Sequence, residues 1–88
     1  EDLAALRAVP GLTILAPADA VATEKATYAA AEHVGPVVLR LPSVGDPHPT
    51  IYAADLEYRI GQALCVREGR DATILATGIL VAEALVAA

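Results

Sequence analysis

The segment Val37-Val38-Leu39-Arg40-Leu41 constrains this chain more than any other. Four aliphatic residues flank a single arginine directly after the helix-ending pair Gly35-Pro36, and near-continuous hydrophobicity of this kind belongs to a strand covered on both faces. Such a strand needs a parallel neighbour and a crossover helix, and both are readable upstream. Residues 2–9 carry a helical pattern (Leu3, Leu6, Val9) that Pro10 and Gly11 stop, and Leu12–Leu15 reads as a short strand. Asp19 then stands where an N-cap belongs: its carboxylate can accept from the unpaired amides of a first turn, and an Ala-rich run follows to about His33. Strand, helix and strand in this order predict an α/β fold with a parallel sheet.

After Leu41 the grammar changes. Pro42, Gly45, Pro47 and Pro49 punctuate a stretch without sustained periodicity, and prolines cannot donate to a sheet ladder. Residues 43–57 are therefore expected to be a linker. Beyond it, Gly61–Arg67 and Ala72–Thr77 read as two strands joined by the turn Glu68-Gly69-Arg70-Asp71, with a helix from Ile79 onward. The expected organisation is the end of one α/β domain over residues 1–42, the linker, and the start of a second α/β domain over residues 58–88.

Composition agrees with a segment of something larger. The chain has 88 residues, 56% of them hydrophobic, yet contains no Phe, Trp or Met and three Tyr, so the large aromatic anchors of a self-sufficient small core are missing. It opens at Glu1 inside a helical pattern and stops at Ala88 in mid-helix. A net charge of −5 with six Lys and Arg argues against nucleic acid as a partner. The longest uncharged apolar runs fall well short of the roughly 18 residues of a membrane span, so no membrane association is expected. A lone cysteine, Cys65, excludes an internal disulfide and favours a cytoplasmic setting.

Several side chains invite a chemical reading, each beside a plainer one. Arg40 is either a strand-end residue paired to a carboxylate or a substrate or interface contact. Ser43, Asp46 and His48 have the residue types of a hydrolase triad, but they crowd into a proline-rich stretch with no nucleophile elbow, which favours a structural loop. His33 is placed to cap helix carbonyls or favour the dipole there. Cys65, in an expected strand, reads as a buried small hydrophobe. Gly78 reads as a strand-to-helix turn before it reads as an anion site. Glu24, Lys25 and Glu32 read as a solvated helix face.

Residues 1–41 followed by residues 58–88 resemble the transketolase family where its pyrimidine-binding domain passes through a linker into the C-terminal domain. The blocks that carry the resemblance are LRAVPGLTILAPADA at 6–20, GPVVLRL at 35–41 and IGQALCVREGRDATILATG at 60–78, in that order and spacing. The wording is nearest to transketolases, including those whose C-terminal half is a separate subunit. Deoxyxylulose-phosphate synthase and the β subunit of 2-oxoacid dehydrogenase E1 share the two-domain plan and are the alternatives.

The resemblance implies thiamine diphosphate and Mg²⁺ chemistry at a dimer interface in a complete enzyme, with a two-carbon ketol unit passing from a ketose to an aldose. It implies a partner as well: an N-terminal diphosphate-binding domain or subunit, in a homodimer or heterotetramer that takes sugar substrates. The activating glutamate and the His-rich substrate segment of the family lie upstream of Glu1, which corresponds to the last residue of a His-Gln-Pro-x-Glu pattern. No catalytic or cofactor-binding residue is carried over, and these residues alone are expected to be inactive and to bind no cofactor. One substrate position does fall inside the chain. Family members place an arginine three residues after the position of Arg40, where it grips the sugar phosphate, and this sequence has Ser43 there. Arg40 and Ser43 are accordingly the candidate substrate-binding residues. A second class of reading is a non-catalytic dimerisation scaffold of the same fold.

Overall fold

The computed structural model describes residues 1–42 and 49–88. Helix α1 spans Asp2–Arg7, strand β1 Thr13–Leu15, helix α2 Ala20–Glu32, strand β2 Val37–Leu39 and helix α3 Leu80–Ala87. The two strands pair in parallel with Thr13 opposite Val37, Ile14 opposite Val38 and Leu15 opposite Leu39. Thr13 donates its amide to the Pro36 carbonyl at 3.0 Å, and Arg40 donates to the Leu15 carbonyl at 2.8 Å, so the ladder runs one residue past each end of β2. The α/β reading of the first half is thus observed, with β1 starting one residue later than expected and β2 ending at Leu39.

Helix α2 is set by its two ends and by its alanines. Asp19 is extended (φ −147°, ψ −177°) and its Oδ1 accepts the Ala22 amide at 2.7 Å, the geometry of an N-cap. At the other end Gly35 has φ +132°, a backbone conformation essentially closed to residues with a Cβ, and there the chain reverses into β2. Ala22 and Ala26, one turn apart, are 2% and 0% exposed and bring the helix backbone close to its neighbours. Little room remains for anything larger. Ala26→Leu is therefore expected to cost about 1–3 kcal/mol by overpacking, measured as a shift of the denaturant midpoint of the full-length protein.

The core is small. Leu15, Ala18, Ala22, Ala26 and Val81 are the buried hydrophobic residues among those described, while Val34, Leu75 and Val86 are at least 86% exposed. The chain exposes 6752 Å², against about 4,900 Å² for a folded monomer of this mass. Exposed apolar side chains such as Leu75, Leu80 and Val86 contribute to that area.

Three expectations are corrected here. Gly61–Arg67 and Ala72–Thr77 form no ladder: residues 61–77 are exposed and without strand pairing. A two-stranded hairpin alone is marginal in water, and among the described residues no third strand or helix covers residues 61–77, all of them exposed. Cys65 is accordingly exposed rather than buried. His33 does not cap helix carbonyls with its ring; Nε2 meets Thr13 Oγ1 at 3.2 Å and ties the end of α2 to the start of β1. Its backbone amide, not its side chain, donates to the Ala30 carbonyl.

Candidate functional site

In an open parallel sheet, ligands gather beyond the carboxyl ends of the strands, so the residues that follow Leu15 and Leu39 define the place to look. After β1 the chain turns through Ala16, Pro17 and Ala18 into Asp19. After β2 it passes directly into Arg40.

Asp19 is 5% exposed, the one buried charged side chain among the described residues. Its two oxygens face different parts of the chain. Oδ1 caps α2, while Oδ2 accepts the amides of Ile51 at 2.7 Å and Tyr52 at 2.9 Å. Burial alone would push this carboxyl upward, but the amides of Ala22, Tyr52, Ile51 and Val21 outweigh it and hold the group below the ordinary 3.8. Burial, and then the Asp19 charge, raise the Tyr52 phenol; burial and Tyr52 raise Tyr58. Ile51 and Tyr52 are thereby fastened to the sheet end through the Asp19 carboxylate.

Arg40 makes a different contact. Its Nε lies 2.8 Å from Asp2 Oδ2 and its Nη2 3.4 Å from Asp2 Oδ1, a two-pronged pair between the end of β2 and the start of α1. The hydrogen bond from Arg40 holds the Asp2 carboxyl below its ordinary value and raises Arg40 in turn. Both side chains remain open to solvent, at 43% and 55% exposure. Ser43, Asp46 and His48 lie outside the described residues. Glu1 is exposed, and its carbonyl accepts the Ala5 amide at 3.2 Å.

Gly78 sits at the sheet end as well, with φ +60°, and donates its amide to the Ala16 carbonyl at 3.0 Å. Thr77 adds a hydroxyl to the same oxygen at 3.4 Å. Position 78 is thus a turn into α3 whose amide is already satisfied. Between α1 and β1 lies an open, mainly apolar groove of about 600 Å³, lined by Leu3, Arg7, Leu12, Ile14, Ala16 and Thr77 among others.

Residues 1–44 match the family model described as the transketolase pyrimidine-binding domain. The chain belongs to the transketolase family. Over its full length it is 43% identical to the 6-deoxy-6-sulfo-D-fructose transketolase subunit SqwH of Clostridium sp. (strain MSTE9), of which it covers 27%. Across 99% of its length it is 41% identical to the 1-deoxy-D-xylulose-5-phosphate synthase of Alcanivorax borkumensis, of which it covers 14%. Across 97% it is 38% identical to a putative transketolase C-terminal section of Methanocaldococcus jannaschii, of which it covers 27%. The chain therefore spans at most about a quarter of these transketolase-family relatives. No solved structure matches it.

The family is thiamine-diphosphate-dependent, and the described residues include no evident group for its metal. No group of three His, Cys, Asp or Glu gathers among them to hold a metal. The buried carboxylate, Asp19, has both oxygens engaged by backbone amides and none free for an aminopyrimidine nitrogen. Nor is any buried side-chain polar atom among them left without a partner for a ligand to satisfy. No helix of the described residues is long and apolar enough to cross a membrane.

Proposed function

We propose that this chain is part of a transketolase that moves a two-carbon ketol unit from a ketose to an aldose. In this reading residues 1–42 close the pyrimidine-binding domain, residues 43–57 link, and residues 58–88 begin the C-terminal domain. The observation that carries the reading is the 43% identity, unbroken across all 88 residues, to a transketolase subunit. The Asp19 fastening of Ile51 and Tyr52 supports the role of a joint between two domains.

The cofactor supplies the carbanion chemistry when bound. In this reading thiamine diphosphate and Mg²⁺ are held by an N-terminal diphosphate-binding domain or subunit and by upstream residues, in a homodimer or heterotetramer. These 88 residues alone bind neither and are inactive. What this chain contributes is the substrate end. Arg40 and Ser43 are the substrate-binding residues of this reading, Ser43 standing in the sequence where the family has its phosphate-gripping arginine. A serine hydroxyl offers a single weak contact in place of a charged fork, so the donor ends in something other than a phosphate dianion. The sulfonated sugar in the name of the Clostridium relative is a donor of that kind.

The test is turnover by the full-length protein assembled with its diphosphate-binding half. Release of the shortened aldose from a ketose donor, dependent on added thiamine diphosphate and an aldose acceptor, is the expected result. Turnover of pyruvate without any ketose donor would place the enzyme with the deoxyxylulose-phosphate synthases instead.

A further inference from the structure

We propose that Asp2 is a specificity-determining residue: by neutralising Arg40 at the carboxyl end of the sheet, it selects donors whose distal group is neutral or singly charged over donors ending in a phosphate dianion. This rests on the ketol-transfer reading above.

The argument begins with where the pair sits. Arg40 directly follows Leu39, the last residue of β2, and so stands at the strand end where ligands of parallel sheets collect. The Nε and Nη2 edge of its guanidinium is the edge that matches two oxygens of an oxyanion, and Asp2 already fills it at 2.8 and 3.4 Å. The pair is open to solvent on both sides, with exposures of 43% and 55%, so a ligand can reach it. An arriving anion must then displace the Asp2 carboxylate or lie beside it.

Either route penalises charge. A phosphate monoester carries about −1.5 to −2 near neutral pH, whereas a sulfonate carries a single charge and a hydroxyl none. The repulsion from Asp2 therefore ranks phosphate worst and hydroxyl least affected. Asp2 is well placed to act only on this ranking, because it makes no side-chain cap of α1 and is not part of the buried core. Were the pair merely a tie between α1 and β2, its loss would lower stability and affect all donors alike.

The experiment compares kcat/KM of the full-length assembled enzyme and its Asp2→Asn variant for three ketose donors, ending in a hydroxyl, a sulfonate and a phosphate. The expected result is a rise in the phosphate-to-sulfonate ratio of about twofold to fivefold, the range set by exposed ion pairs, with the hydroxyl donor unchanged. The gain should shrink in high salt, where exposed charges are screened. It should vanish when Arg40→Gln is added, because the cation that Asp2 had masked is then gone. An unchanged ratio, or an equal change for all three donors, overturns the proposal while leaving ketol transfer intact. Absence of transfer from all three donors by the unsubstituted enzyme overturns the underlying reading, and this proposal with it.

Discussion

Asp19→Ala should destabilise the full-length protein by about 2–4 kcal/mol, because one substitution removes an N-cap and the acceptor of two further amides. The Ala22 amide, bonded to Oδ1 at 2.7 Å, loses its partner at a buried position in the first turn of α2. The Ile51 and Tyr52 amides lose theirs in a half-buried position. Asp19→Asn separates the two roles. Its side chain can still present one oxygen, but its amino group faces the other donors, so about half the cost is expected. Hydrogen exchange reads the difference directly: the amides of Ile51 and Tyr52 should exchange faster in both variants. If they remain as protected in Asp19→Asn as in the parent, the second oxygen does not hold the linker.

The same carboxylate sets an acid limb of stability. Its folded value lies below the ordinary 3.8, so its contribution is complete above about that pH and is lost as pH falls through the lower folded value. The parent should therefore lose stability below about pH 3.8, the unfolded value, and Asp19→Asn should lack that part of the slope.

What was legible in the sequence was local. The N-cap at Asp19, the alanine-rich helix it opens and the strand after Gly35-Pro36 are all written in residues a few positions apart, where capping and periodicity act. The family resemblance was legible for the same reason, since it rests on short runs in a fixed order. The second oxygen of Asp19 was not, because its partners lie 32 and 33 residues downstream in a segment with no periodicity. Arg40 presented both a paired and a ligand-facing reading, and Asp2 as its partner, 38 residues away, had no local sign. The strands expected at 61–67 and 72–77 show the converse. Their patterning is that of strands, but a ladder forms only when a neighbour supplies the other half of each hydrogen bond.

Ser43→Arg should raise kcat/KM for a phosphorylated ketose donor roughly tenfold to a hundredfold in the full-length enzyme. The gain follows from a charge-assisted, two-pronged contact worth about 1.5–3 kcal/mol where the parent has one hydroxyl. A donor without a phosphate should change little. Selectivity is the readout, since a general effect on folding or on the cofactor would move both donors together. If Ser43→Arg does nothing while Arg40→Ala abolishes the remaining discrimination between donors, Arg40 itself is the anion ligand.

The central claim is that this chain belongs to an enzyme that transfers an intact two-carbon unit between sugars. The most direct measurement supplies the assembled enzyme with a ketose labelled isotopically in its first two carbons, plus an unlabelled aldose, and locates the label by NMR. Transfer predicts that both labelled carbons appear together at the head of the new ketose, with the shortened aldose unlabelled. Label confined to the starting ketose, while pyruvate and an aldose are consumed to give carbon dioxide and a new ketose, would contradict it.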